Sequence, residues 1–101
     1  MPGPALSNYL IALRSLAAQH RRIKPRHPTA VLFLRLGIFY QCFGADAHLL
    51  SRVAHVPLRF YGLDRLPVAE IPVLRCEKIM RRILRQGRHI IIWEQASEEI
   101  L

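Results

Sequence analysis

Two short runs of this sequence are apolar at consecutive positions rather than alternate ones: Ala30–Leu36 (AVLFLRL) and His89–Trp93 (HIIIW). Side chains along a β-strand point to opposite faces in turn. A strand that is apolar almost throughout is therefore buried on both faces. Both runs are shorter than a typical helix and rich in β-branched or aromatic residues. They predict two central strands, and a sheet buried on both faces needs helices to cover it.

Those helices are legible as a different period. Leu6, Tyr9, Leu10, Leu13, Leu16 and Ala17 recur at helical spacing after Ser7, a plausible N-cap, and predict an amphipathic helix over 7–22. The basic segment from His20 to Pro28 follows, where Pro25 and Pro28 end the helix and Arg21, Arg22, Lys24 and Arg26 make a charged connector. Phe39–Phe43 (FYQCF) reads as a strand or as a first helical turn, and Gly44 and Asp46 open a helix carrying Leu49, Leu50 and Val53 that stops near His55. Leu58–Tyr61 and Leu66–Ile71 read as short strands joined at hairpin length. Val73–Gln86 reads as the best helix of the chain, with Cys76, Ile79, Met80 and Ile83 on its apolar face, Arg75, Lys78, Arg82 and Arg85 in one solvent stripe, Glu77 and Arg81 as an i,i+4 pair, and Gly87 beyond its end. The pattern is that of an α+β fold: a single mixed β-sheet flanked by helices, in one domain spanning 1–101 with a short C-terminal tail.

Charge narrows the function. Fifteen Lys+Arg against seven Asp+Glu give a formal net charge of +8. That balance points to an anionic partner, nucleic acid ahead of an acidic membrane surface, although an Arg-rich composition can also reflect the genome that encodes it. Cys42 and Cys76 form no CxxC pair, and His20, His27, His48, His55 and His89 show no ligand spacing, so no metal or other cofactor is expected and free thiols in a reducing cytoplasm are the default. No apolar run approaches the roughly 18 residues of a membrane span. The first twenty residues are amphipathic and free of acid, but Arg14 interrupts them and no basic stretch precedes them; they read as an ordinary helix rather than a targeting peptide. An enzyme is not expected: the carboxylates form no nuclease-like cluster, and Ser7, Ser15, Ser51 and Ser97 lack a nucleophile-elbow context.

Three collinear strings carry a family resemblance. Leu34–Ala47 (LRLGIFYQCFGADA) is similar to F-x-R-M-G-D-F-Y-E-L-F-x-x-D-A, Leu66–Pro72 (LPVAEIP) to I-P-M-A-G-V-P, and Ile83–Gln95 (ILRQGRHIIIWEQ) to L-x-x-x-G-Y-x-V-A-I-C-E-Q. With Tyr9-Leu10 and Ala18-Gln19-His20 they resemble the mismatch-recognition domain that begins the DNA mismatch repair proteins of the MutS family, over roughly residues 9–95. The connector, lever, clamp and ATPase that follow it in the family have no counterpart here, and no GxxxxGK[ST] occurs.

The resemblance implies a DNA-binding module for mismatched or distorted duplex. The family's wedge Phe corresponds to Phe39, and the Glu that bonds the mispaired base corresponds to Gln41. An apolar ring inserts most cheaply where stacking is already poor, so selectivity would come from deformability. Tyr40 stays in the core. Arg21, Arg22, Lys24 and Arg26, with Arg75, Lys78, Arg82 and Arg85, are candidates for phosphate contacts, or else a solvated face. Gln41 brings a donor and an acceptor without charge. Ile38 stands where the family has Asp, and Glu70 where it has Gly. These departures favour an alternative: a protein-interaction module derived from the same domain. Structured RNA is a further anionic ligand. A lone domain cannot encircle DNA, so tight binding would need dimerisation or a repair-protein partner.

Overall fold

The computed structural model describes residues 4–94. Its order is α1 (Pro4–Ile23), β1 (Ala30–Leu36), β2 (Phe39–Phe43), α2 (Ala45–Ala54), β3 (Arg59–Tyr61), β4 (Leu66–Pro72), α3 (Cys76–Arg85) and β5 (His89–Trp93), with single 3₁₀ turns at Lys24–Arg26 and Val73–Arg75. The five strands form one sheet in the order β3-β4-β2-β1-β5. β1 and β5 run parallel and the other pairings are antiparallel, which makes the sheet mixed. Phe39–Phe43 is a strand, one of its two readings, and the expected hairpin joins β3 to β4.

Helices cover both faces, and the strand alternation sorts the core into two halves. Leu13, Leu16 and Ala17 of α1 pack on Leu32, Leu34, Phe43 and Val68. On the opposite face α2 and α3 bring Ala47, Leu49, Leu50 and Ile83 onto Val31, Phe33, Tyr40, Cys42, Ala69 and Ile71. Tyr40 is thus a core residue, its ring edge-on to Phe33. Cys42 is fully buried, where desolvation pushes its thiol well up, and Cys76 is half-buried; both are free. α1 is pinned across the β3–β4 turn by Arg14, which donates to both carboxylate oxygens of Asp64 and to the Tyr61 carbonyl. The Arg14 guanidinium passes so close to Gly62 that a Cβ there would lie 1.8 Å from it.

Three expectations need correction. β1 is central, but β5 is an edge strand, and its residues are half-buried or exposed. Its continuous apolarity reflects two covered faces, with Ile90 under α2 and α3 and Ile91 and Trp93 under α1, beside one edge that has no strand partner among the described residues. The strands flanked on both sides are β1, β2 and β4. α1 starts at Pro4, so Ser7 lies within the helix rather than capping it; proline suits a first helical turn because its missing N–H would have no partner there. The helix expected over 73–86 opens with a 3₁₀ turn before α3 proper. The tail beyond Glu94 lies outside the described residues. None of the described helices is long and apolar enough to cross a membrane.

The α1 face holds one titratable group with a consequence for stability. His20 sits edge-on to Phe43 at 5.8 Å, and its Nδ1 is buried with no partner among the described residues. Burial is the main reason its proton affinity falls below the ordinary 6.5. Between the two values the unfolded chain binds the proton and the native one does not, so stability falls as pH drops below about 6.5, by at most about 1.4 kcal/mol per pH unit. Urea midpoints at pH 7.5 and 5.5 should show the loss, and His20→Leu should reduce it.

Candidate nucleic-acid interface

The turn between β1 and β2 sets the geometry of one end of the sheet. Gly37 takes φ +63°, a left-handed conformation open to glycine at little cost. The turn is braced: Arg35 donates to the Gly37 carbonyl at 2.9 Å and pairs with Glu94 at 3.0 Å, while the Val73 N–H donates to the Ile38 carbonyl at 2.8 Å. That last bond holds the 3₁₀ turn of Val73–Arg75 beside it. Two large apolar side chains are left in solvent here, Ile38 at 70% and Leu74 at 97% of full exposure. Phe39, the first residue of β2, pairs with Pro72 of β4 and is half-buried. It lines a cavity of about 130 Å³ together with Arg59, Tyr61 and Glu70.

Gln41 follows Phe39 on the same face but does not reach that surface. It is fully buried, opposite Leu34 on one side and Glu70 on the other. Its Nε2 donates to Glu70 Oε1 at 2.9 Å, and its own Oε1 has no partner among the described residues. Tyr9 of α1 donates its hydroxyl to the same Glu70 oxygen at 3.3 Å. Burial, then the neighbouring Glu70 charge, pushes the Tyr9 phenol up to about 12. The group presented to the cavity beside Phe39 is therefore the Glu70 carboxylate, steadied by two donors, and not the Gln41 amide. The strand register brings this about, since it sets the two residues directly opposite each other. In the sequence alone Glu70 is only a departure from a glycine, because the β2–β4 register is not a local property.

The basic residues expected to contact phosphates fall into two groups on opposite sides of the sheet. Arg75, Lys78, Arg82 and Arg85 are all exposed along the outer side of α3. The stripe begins at Arg75, next to the Ile38–Phe39 end, and finishes at Arg85, two residues past which Gly87 turns the chain into β5. Arg82 also donates to the Val53 carbonyl of α2 at 3.3 Å, which fixes part of the stripe. Glu77 pairs with Arg81, as the i,i+4 spacing predicts. Arg21, Arg22 and Arg26 are exposed at the far end of α1 and in the connector. Lys24 differs from them: its ammonium points inward, 2.8 Å from the buried Asp46 carboxylate, and donates also to the Ala30 carbonyl. In this arrangement Lys24 is occupied, so the connector and the end of α1 present three exposed cations instead of four, of which Arg22 also donates to the Gln19 side chain at 3.4 Å. Among the described residues no cluster of His, Cys, Asp or Glu is arranged to hold a metal ion.

The family model for MutS domain I matches residues 14–100. The chain belongs to that family. It is 37% identical over 82 residues to the DNA mismatch repair protein MutS of Pelotomaculum thermopropionicum, an alignment covering 79% of this chain and 10% of that protein. The MutS proteins of Myxococcus xanthus and Methanothrix thermoacetophila are 31% and 33% identical, each over 88% of this chain and 10% and 11% of their own lengths. The chain thus spans about a tenth of the curated relatives it matches. The three-helix, five-strand architecture is that of MutS domain I, and the expected family and fold class are both met.

Proposed function

We propose that this chain is a non-catalytic DNA-binding module that engages mismatched or otherwise deformable duplex, with Phe39 at the distorted step and the α3 stripe on the phosphates. The observation that carries the reading is the braced turn of a MutS domain I fold. It sets an aromatic ring and two exposed apolar side chains at one end of the sheet, next to the start of a run of four cations. Apolar wedges flanked by phosphate-binding cations are how proteins unstack and bend a duplex, and the cost is least where pairing is already faulty. Glu70 stands as the carboxylate beside the wedge, with Gln41 beneath it as its holder.

Equilibrium titration with matched, mismatched and single-stranded oligonucleotides of one sequence tests the reading. Wild type should favour the mismatch, and Phe39→Ala should bring that affinity down to the matched value while general binding persists. The ring is half-buried, so the same change should cost about 1–2 kcal/mol of stability and leave the domain folded. A folded Phe39→Ala variant with undiminished preference excludes the wedge.

One observation favours a second reading. Ile38 and Leu74 are exposed apolar neighbours, as suits a small protein-interaction surface with a repair-protein partner. Affinity for DNA that does not depend on salt, or none at all, would favour it.

A further inference from the structure

We propose that a cleft at the opposite end of the sheet from Phe39 binds a phosphate group. It lies between the connector, α2 and the residue that leads into β5, has a volume of about 350 Å³, and is lined by Lys24, Asp46, His48, Arg52 and Arg88 among others. These residues are far apart in sequence, and only the fold brings them together. His48 and Arg52 stand one helical turn apart on α2, and the His48 ring is steadied edge-on by Phe60 at 6.4 Å. Arg88 arrives from the other side, just before β5 pairs with the start of β1.

The charge accounting points to an anion. Asp46 is the one carboxylate of the lining, and it is answered from within: Lys24 reaches both its oxygens, at 2.8 and 3.0 Å, and the Leu32 N–H takes Oδ2 at 3.0 Å. It has little left to offer a cation in the cleft. The other described carboxylates are engaged elsewhere: Asp64 with Arg14, Glu77 with Arg81, Glu94 with Arg35, and Glu70 with Tyr9 and Gln41. Arg52 and Arg88 therefore share the cleft with no carboxylate partner among the described residues. Two guanidinium forks facing one space repel each other until an oxyanion sits between them, and their planar donors suit phosphate oxygens. The volume leaves room for the ester group from which a phosphate hangs.

The cleft also continues the surface already described. β1 runs its seven residues from Ala30 at the cleft to Leu36 at the Gly37 turn, about 20 Å. On the α2–α3 side Arg75, Lys78, Arg82 and Arg85 span that interval, ending three residues short of Arg88. As the far anchor of a bound duplex the cleft rests on the DNA-binding reading. As a phosphate site it stands without it.

The test is a titration of the ¹⁵N-labelled chain with inorganic phosphate against chloride at equal ionic strength. Saturable shifts are expected in the amides of His48, Leu49, Arg52 and Arg88 and not in those of Ile38 or Phe39. Arg52→Gln/Arg88→Gln, two exposed changes, should weaken that binding about tenfold or more while the remaining spectrum stays in place. Non-saturating shifts spread over all basic residues, or saturable shifts that survive the double substitution, would overturn the proposal. Oligonucleotides then separate the sources of the phosphate. If the backbone is the ligand, the double variant should lower the salt slope of duplex binding by about 1.8, with or without a 5′-phosphate. If a terminal phosphate is the ligand, 5′-phosphorylation should tighten wild type and not the variant. Phosphate binding in a chain that ignores duplex DNA would sink the DNA-binding reading alone.

Discussion

Asp46→Ala is expected to destabilise the fold by about 3–5 kcal/mol, more than any surface substitution in this chain. The carboxylate is only 5% exposed, at the start of α2. The paired register of β1 and β2 ends at Leu34 opposite Gln41, and Asp46 supplies the acceptor that the Leu32 N–H then takes. The same group holds the Lys24 ammonium, and through it the connector, against β1. Removing it leaves a buried N–H without an acceptor and a largely buried ammonium without a counter-charge. Asp46→Asn keeps an acceptor but loses the charge, and should cost less, about 1–3 kcal/mol. Lys24→Met leaves the carboxylate buried and unpaired, so it too should destabilise. Urea unfolding of the three variants measures the order. A fall of under about 1 kcal/mol for Asp46→Ala would show that the connector is not held in this way.

Much of this fold is written locally. The period-3.6 stripes of α1 and α3 and the apolar run of β1 each answer to neighbours within a few residues, so those elements appear in the sequence with boundaries close to the observed ones. Ile83, Ile79 and Met80 face the core because helical spacing leaves them no other side. Position within the sheet is a different kind of fact. HIIIW is apolar enough for a central strand, and nothing in those five residues tells that one flank has no strand partner among the described residues. The site was legible to the same degree. Phe39 is placed at the end of β2 by a glycine turn that can be read directly. The presence of Glu70 and not Gln41 in the cavity beside Phe39 depends on the β2–β4 register, and the inward turn of Lys24 depends on a carboxylate 22 residues away. Arg52 and Arg88 sit in unremarkable stretches of sequence. Each becomes informative only when the fold sets it in one cleft with a cation from another element, where the lining carboxylate, Asp46, is already held by Lys24.

The largest expected effect on binding comes from reversing charge on α3. If Arg75, Lys78, Arg82 and Arg85 each neutralise one phosphate, the log–log salt slope should be about −3.6, and affinity should fall about 150-fold between 50 and 200 mM salt. Arg82→Glu/Arg85→Glu removes two of those contacts. The slope should then approach −1.8, and the same change in salt should cost only about 12-fold. Both residues are exposed, and Arg82 gives up only a 3.3 Å bond to the Val53 carbonyl, so the fold should survive. Because phosphates carry no base identity, matched and mismatched duplexes should weaken by the same factor, leaving their ratio as it was. That separates the stripe from Phe39, whose substitution should change the ratio and spare the slope. Fluorescence anisotropy at four salt concentrations, with both duplexes and both variants, gives every quantity needed. A wild-type slope near zero would remove the stripe from the interface. A slope that the double variant leaves unchanged would instead move the phosphates to other exposed cations, such as Arg21, Arg22 and Arg26 on the other side of the sheet or Arg52 and Arg88 of the cleft.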